Sequence, residues 1–202
     1  MPIGDIVKRF LQSMVYCSCM LVASVSIIAD DQAQKQKSYS NKNFDFCINV
    51  LSNWSYGESF SRNGATLTPN DSRAFSLPPR ITVGAHANQP SEREHRPQTL
   101  DENIQSSVDS LREYGAALDI RILRKEEITL QQLPARVIAV QYRDSHSGNE
   151  WFVKDVNLID RENVVYFAEL KCSPKDIVRL EPIFYALTRS LRLKCRNKSR
   201  IE

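Results

Sequence analysis

Glycine is scarce in this chain. Its 202 residues include only 6 glycines, and these do not stand in groups. A loop that cradles a phosphate needs closely spaced glycines, because backbone N–H groups must come near the phosphate oxygens. The cysteines form no paired motif with the spacing of a zinc site. The sequence therefore lacks the signatures of a nucleotide-binding loop and of a structural zinc site.

A surplus of one charge is also missing. The chain has 27 Lys and Arg residues against 24 Asp and Glu residues, a net charge of +3. This balance is too small to predict binding to nucleic acid, which needs a strongly basic surface. Part of the surplus is local, in the basic tail of residues 196–202 and the adjoining Lys194. We interpret this tail as a solvated end, or as a peripheral contact with an anionic membrane surface or an acidic partner.

One long apolar run opens the chain. Lys8 and Arg9 precede an uncharged stretch that ends at Ala29, and Asp30 follows at once. A basic start, an apolar run and a small residue are the layout of a secretory signal. The run is also long enough to span a bilayer if it is retained. We therefore interpret residues 1–29 as a signal peptide or N-terminal anchor and expect an extracytoplasmic protein, periplasmic or secreted.

Three cysteines follow that leader: Cys47, Cys172 and Cys195. In an oxidising space they permit one disulfide. Direct pairing of Cys172 with Cys195 would require the helix predicted between them to bend at Pro182. We favour a bond from Cys47 to one of the other two, and three buried thiols are the alternative. The polar residues 30–43 are interpreted as a flexible spacer.

The clearest structural pattern lies in residues 133–193. Runs rich in Val, Ile, Tyr, Phe and Trp alternate with polar tips, which predicts three strands in a meander over residues 135–143, 151–159 and 164–170. Neither face of these strands is cleanly polar, so both faces are expected to be covered. Earlier strands are expected at residues 44–50, 59–67 and 81–85, and one or two more at residues 118–129.

Two helices are available to cover the sheet. Thr99 and Glu102 form a capping-box pattern ahead of a helical stripe. Ser173 and Pro174 begin a second helix, which Pro182 is expected to kink or split. With one helix on each face, the predicted fold is α+β. It is a three-layer α/β/α sandwich with a mostly antiparallel sheet, in the order β-hairpin, α, three β, α.

These segments resemble the PsbP/DcrB-like family. The resemblance is carried by alternating apolar residues at 44–50, by Asn53-Trp54, by the helix of residues 99–114, and by the strand of residues 164–170 with the Ser-Leu-Arg-Leu ending at 190–193. One departure is Leu51, which stands where relatives commonly have Pro. The family includes the extrinsic PsbP subunit of photosystem II, the periplasmic DcrB lipoprotein and a Ran-binding relative. The resemblance implies a PsbP-like domain over residues 44–195 and a binding or assembly role.

Few residues are candidates for chemistry. His86 and His95, with Glu92 and Glu94 between them, are weak candidates for a divalent-cation site, and a solvated charged loop is the alternative. The neighbours Asp144, Ser145 and His146 lie on a hairpin tip, where turn chemistry explains them better than a catalytic triad. We predict no catalytic residue and no cofactor.

Lys154 and Asp155 put charge into a predicted strand. Buried charges need partners, and the candidates for Asp155 are the neighbours of Lys154 or, across the sheet, Arg136 or Arg143. We favour the interpretation that this part of the sheet is an edge open to water. The alternative is a polar groove on one face.

The function expected from these observations is non-catalytic. We expect an extracytoplasmic accessory protein that docks on a protein partner of the cell envelope or on a membrane-associated complex, with the charged loop of residues 88–98 as a contact region. The alternative is an inhibitor or immunity protein for a secreted hydrolase.

Overall fold

The computed structural model describes residues 37–58, 63–88, 98–113 and 116–195. These ranges hold ten strands and two α-helices, together with two short 3-10 helices at Ser72–Ala74 and Pro174–Asp176. The elements in chain order are β1 Lys37–Asn41, β2 Phe46–Val50, β3 Trp54–Glu58, β4 Gly64–Pro69, β5 Arg80–Ala87, α1 Leu100–Glu113, β6 Ala117–Leu130, β7 Leu133–Asp144, β8 Glu150–Ile159, β9 Val164–Cys172, α2 Ile177–Ser190 and β10 Arg192–Leu193. The fold is therefore α+β, and its strand pairs are antiparallel.

Seven strands form one sheet in the order β3-β4-β5-β9-β8-β7-β6. The predicted meander is confirmed as β7, β8 and β9, which are consecutive neighbours. β8 lies inside this sheet, between β7 and β9. A second sheet has three strands in the order β1-β2-β10, so it joins the two ends of the described chain.

The apolar residues of the large sheet divide into two clusters. Ile104 and Val108 of α1 pack with one set of strand residues: Ile138, Val140, Tyr142 and Val153. Leu180 and Phe184 of α2 pack with the alternate set, which includes Val137, Ala139 and Phe152, and with β2 of the small sheet. Successive side chains of a strand point to opposite faces. The two helices therefore cover opposite faces, and this explains why neither face reads as polar.

Three sequence expectations need correction. Five strands precede α1, four lie between α1 and α2, and β10 follows α2, so the predicted order of hairpin, helix, three strands and helix is too short. The spacer predicted over residues 30–43 is wrong for Lys37–Asn41, which forms β1. Tyr39 anchors that strand, because its ring packs edge-on against Phe46 and Tyr56 at centroid distances of 6.0 and 5.4 Å. The expected split of the second helix is also wrong, since α2 runs through Pro182.

The structure joins Cys47 to Cys195, with Cα atoms 6.2 Å apart. This is one of the pairings that the sequence left open. β10 makes it possible, because its pairing with β2 places Arg192 opposite Cys47. Cys172 is a free, buried thiol, and burial raises its pKa to about 12.

The expected leader (residues 1–29) and basic tail (residues 196–202) lie outside the described residues. Within the described ranges, neither helix combines the length and the apolar character needed to cross a bilayer.

Candidate functional site

A cavity of about 690 Å³ opens between α1 and the sheet face beneath it. One wall is formed by small polar residues of α1: Asn103, Ser106, Ser107 and Ser110. The floor is formed by β8 and β9, through Asp155, Asn157, Phe167 and Glu169. We call this cavity the α1 groove.

The sequence of α1 explains why a groove forms here. Ile104 and Val108 pack against the sheet at one side of the helix. The neighbouring positions carry short serine side chains instead of large apolar ones, so they do not fill the space above β8 and β9. The helix is held at its start by a capping box, in which the Thr99 backbone N–H donates to Glu102 Oε2 at 2.7 Å and the Glu102 N–H donates to Thr99 Oγ1 at 3.3 Å.

Asp155 is the most unusual residue of the groove. Its side chain is ionisable, yet Asp155 is only 6% exposed and lies in the middle of the sheet. Its Oδ2 accepts a hydrogen bond from Asn157 Nδ2 at 3.0 Å. Its Oδ1 is buried and has no hydrogen-bond partner among the described residues. A buried carboxylate oxygen without a donor is costly, because water no longer solvates its charge.

The pKa of Asp155 reflects this environment. Burial, and then the negative charge of Glu169, raise the pKa of Asp155 to about 7. The Asn157 hydrogen bond favours the charged form, as do, more weakly, the neighbouring Ser107 hydroxyl and Val156 backbone N–H, but together they do not outweigh the loss of solvation. Asp155 therefore changes charge close to neutral pH.

Glu169 stands directly opposite Asp155 in the β8–β9 pair. Like charges in opposed positions repel each other. The Glu169 side chain is 28% exposed, and its Oε1 lies 3.9 Å from Arg80 Nη2, which offsets part of its charge at the surface. The α1 groove thus holds two adjacent carboxyl groups, one buried and one at its opening.

Phe167 completes the floor. The close approach of β5 depends on Gly84, which pairs with Phe167 across the strands. A Cβ atom at Gly84 would lie 2.7 Å from Cζ of the Phe167 ring. Glycine at this position therefore leaves room for the ring on the groove face of the sheet.

The charged loop predicted over residues 88–98 begins and ends beside the α1 groove. Asn88 Nδ2 donates to the Gln98 carbonyl oxygen at 2.8 Å, and Gln98 lines the groove. Asn103 Nδ2 donates to Asn88 Oδ1 at 3.3 Å. The two described ends of this loop are thus bound to each other and to α1.

The candidate metal residues are not brought together by the described structure. His86 lies at the end of β5 beside Phe167, at a ring-centroid distance of 6.1 Å. Glu92, Glu94 and His95 lie outside the described residues. In the ranges that are described, no three His, Cys, Asp or Glu side chains are grouped as metal ligands would be.

Lys154 faces away from the α1 groove. It is 1% exposed and its ammonium pairs with Glu181 and Tyr185 of α2. Burial lowers the pKa of Lys154, but the hydrogen bonds to Glu181 and Tyr185 outweigh it, and the pKa is raised. Consecutive strand residues thus place a cation on the α2 face and a carboxylate on the α1 face.

The interpretation of these charges as an edge open to water is wrong, because β8 lies between β7 and β9. The alternative, a polar groove on one face, is what the structure contains at Asp155. The proposed arginine partners are also wrong. Arg136 pairs with Asp101 at 2.8 Å and with Glu127, while Arg143 pairs with Asp119 at 2.8 Å.

The hairpin tip at Asp144 follows turn chemistry, as predicted. Asp144 Oδ1 accepts hydrogen bonds from the backbone N–H groups of His146 at 3.1 Å and Ser147 at 2.8 Å. The bonds from Ser147, and more weakly from His146, lower the pKa of Asp144. These bonds close a turn; the Ser145 hydroxyl lies 3.3 Å from His146 Nδ1, while Asp144 accepts from the His146 backbone.

Sequence reasoning missed the α1 wall of the groove. Asn103 and the serines at 106, 107 and 110 read as an ordinary polar helix surface. A usable signal was present, since Asn103 and Ser107 adjoin Ile104 and Val108 in the helical stripe and so belong near the buried side.

No protein-family model matches this chain, and no curated protein sequence matches it. Solved structures do. Cyanobacterial PsbP (CyanoP) from Synechocystis sp. PCC 6803 superimposes with a TM-score of 0.58 and 8% identity, over 84% of this chain and 98% of that one. The chain has a PsbP-like fold.

Two further solved structures share this PsbP-like fold. The Ran-binding protein Mog1p of Saccharomyces cerevisiae has a TM-score of 0.56 and 8% identity, over 80% of this chain and 97% of that one. LpqN of Mycobacterium tuberculosis, described as involved in cell envelope biogenesis, has a TM-score of 0.54 and 11% identity, over 80% and 87% of the two chains. At these identities the similarity concerns the fold alone.

Proposed function

We propose that this protein is a non-catalytic extracytoplasmic accessory protein that docks on a protein of the cell envelope or of a membrane-associated complex. The observation that carries the proposal is the α1 groove, an open cavity of about 690 Å³ on a hydrogen-bonded sheet. Binding sites are commonly concave regions of this size with a few polar groups on a rigid scaffold.

The scaffold suits a docking role. In this proposal α1, the large sheet, and α2 with the small sheet act as three layers, and the middle layer holds the groove floor in place. Asp155 and Glu169 come from neighbouring interior strands, so their spacing is fixed by the ladder. In this proposal the loop of residues 88–98, whose described ends Asn88 and Gln98 lie at the groove, is a second contact region, because loops carried by a rigid scaffold are frequent recognition elements.

The extracytoplasmic location is supported by two features. The first is the basic and apolar pattern of residues 1–29. The second is the Cys47–Cys195 disulfide, a type of bond that persists in oxidising compartments. Among proteins of similar fold, LpqN is described as involved in cell envelope biogenesis, and this agrees with an envelope setting.

Site-specific cross-linking in the source cell tests the docking proposal. A photo-reactive amino acid at Ser110, exposed at the groove, should capture an envelope protein. The same group at Val178, which is 88% exposed on α2, is the matched control and should not capture that protein. Equal capture from both positions, or capture from Val178 alone, would contradict docking through the groove.

The same experiment separates the alternative function. If the captured protein is a secreted hydrolase and the purified chain inhibits it, the protein is an inhibitor or immunity protein. Location is measured in parallel by cell fractionation and by alkylation of thiols before lysis. The proposal expects Cys47 and Cys195 to resist alkylation in an extracytoplasmic fraction, and recovery in the cytoplasm with reactive thiols would contradict it.

A further inference from the structure

The described residues of the α1 groove include a buried carboxyl group without a cationic partner. Asp155 Oδ1 is buried without a hydrogen-bond partner in the described part of the chain, and Asp155 lines the cavity. The adjacent Glu169 adds a second carboxyl group on the same face. Arg80 Nη2 lies 3.9 Å from Oε1 of Glu169, the carboxyl group at the opening of the groove. Among the described residues, none that lines the groove supplies a lysine or arginine for its buried carboxylate.

The other described residues of the lining are mostly uncharged polar side chains. Among the described residues that line the groove, no Lys or Arg is present. The α1 wall offers serine hydroxyls and the Asn103 amide, and the floor offers Asn157 and the ring of Phe167. Hydroxyl and amide oxygens accept hydrogen bonds, and an aromatic ring favours a cation near its face. A positively charged, hydrogen-bond-donating group would satisfy this set.

We propose that the α1 groove binds a lysine or arginine side chain of the docking partner, with Asp155 and Glu169 as its counter-ions. The identity of the occupant as a protein side chain rests on the proposed function. The charge complementarity rests on the groove alone. An ammonium or guanidinium group would give Asp155 Oδ1 the donor it lacks and would relieve the repulsion between the two carboxylates.

Binding should depend on pH. The groups that face Asp155 are Glu169 from β9, neutral Ser107 and Asn103 from α1, and Ile138 from β7, while His86 of β5 lines the same cavity. A cation prefers the ionised form of Asp155, whose pKa is about 7. Affinity is therefore expected to be roughly tenfold lower at pH 6 than at pH 8.

The direct test is an NMR titration of the purified full chain with Nα-acetyl-lysine amide and Nα-acetyl-arginine amide. Nα-acetyl-norleucine amide, which lacks the charge, is the matched control probe. At pH 8 the charged probes should shift the amide signals of Ser107 and Asn157 in a saturable way, and the norleucine probe should not. Equal shifts from the uncharged probe would overturn the proposal.

Variants at Asp155 and Asp109 test whether Asp155 is the counter-ion of the bound cation. Asp155→Asn should weaken binding of the charged probes by about tenfold or more, since a charge-assisted hydrogen bond is lost. Asp109→Asn, on α1 outside the groove lining, should leave binding unchanged. The spectrum of Asp155→Asn away from the groove reports whether it folds. A folded Asp155→Asn protein that binds as well as the wild type would refute the assignment.

The two proposals can fail separately. If cross-linking from Ser110 captures an envelope protein but neither charged probe binds, docking stands and the cationic occupant is wrong. If the probes bind through Asp155 but no envelope protein is captured, the cation site stands and the docking function is wrong.

Discussion

At the scale of single residues, the burial of Asp155 makes the stability of the folded protein depend on pH. Its folded pKa of about 7 lies above the ordinary value of 3.8, so the folded state binds more protons between these values. Asp155 therefore stabilises the folded state most below about pH 4, and this stabilisation is lost as the pH rises to about 7. Between these two pH values Asp155 changes the free energy of unfolding by on the order of 4 kcal/mol.

Replacing Asp155 with Asn should remove this penalty. We expect Asp155→Asn to be more stable than the wild type at pH 8, and the two proteins to converge towards pH 4. Urea denaturation over that pH range measures the difference. Asp109→Asn, which changes a carboxyl group with a 46% exposed side chain, should keep the wild-type pH profile. A less stable Asp155→Asn protein at pH 8 would contradict this account.

Lys154 illustrates the opposite case, a buried charge with partners. Lys154→Met leaves Glu181 without its cation and should lower the free energy of unfolding by about 3 kcal/mol, the low end for a broken buried pair because the Glu181 side chain is 32% exposed. Adding Glu181→Leu should recover most of the loss, as measured by urea denaturation. A double variant as unstable as the sum of the single variants would argue against the pair.

Lys154 and Asp155 also show how much the sequence predicts at the scale of single residues. The sequence indicated that Lys154 and Asp155 needed partners, because both faces of the strand were expected to be covered. It did not identify the partners, since these depend on the strand order and on which helix covers which face. Glu181 and Tyr185 lie 27 and 31 positions away from Lys154 and meet it only through that packing.

At the scale of elements, the β4–β5 pair depends on Gly64. A Cβ atom at Gly64 would lie 2.1 Å from the Val83 carbonyl oxygen, and a backbone atom cannot rotate away. Gly64→Ala should therefore lower the free energy of unfolding by about 2 kcal/mol or more. Gly57→Ala in β3 is the matched control, because its Cβ meets no described atom within 4 Å. Thermal unfolding gives the melting temperatures of both variants. Equal melting temperatures for Gly64→Ala and Gly57→Ala would contradict the close approach of β4 and β5 at Gly64.

Elements with a local signal were predicted well. The capping box at Thr99 and Glu102 forms the expected hydrogen bonds, and the meander follows its polar tips. β1 was missed because Lys37–Asn41 reads as polar apart from Tyr39, and its place is fixed by β2 and by ring packing. α2 continues through Pro182, where the carbonyl left without a donor belongs to exposed Val178 and can be hydrated.

At the scale of the whole molecule, the disulfide connects the end of the described chain to its second strand. Cys47 and Cys195 are separated by 148 positions, so the bond restricts a long loop in the unfolded chain. Reduction, or a Cys47→Ser/Cys195→Ser variant, should lower the free energy of unfolding by about 2–4 kcal/mol. Urea denaturation with and without reductant measures the loss.

Cys172 provides the control for this prediction. It is a free thiol in the core, so Cys172→Ala should lower stability through lost packing but keep the full response to reductant. If the Cys172 variant no longer responds to reductant while the Cys47 and Cys195 variant does, the pairing is wrong.

The whole-molecule resemblance to PsbP-like proteins was visible in the sequence, and the fold comparison confirms the fold. The α1 groove was not predicted in its full form. Its floor comes from β8 and β9 and its wall from α1, so it exists only after the helix has packed on the sheet. Asp155 is buried as a result of that packing, and no local sequence pattern predicts this burial.

The Cys47–Cys195 disulfide joins two cysteines that are not consecutive in the sequence. Cys172 lies between them in the chain, so an amino-terminus-first export would deliver Cys47 and Cys172 to the oxidising side before Cys195 arrives. Oxidation in order of arrival would then link the wrong thiols. If the protein is exported as proposed, correct maturation calls either for oxidation that is delayed until β10 has paired with β2 and brought Cys195 to Cys47, or for an isomerase that reshuffles the first bond.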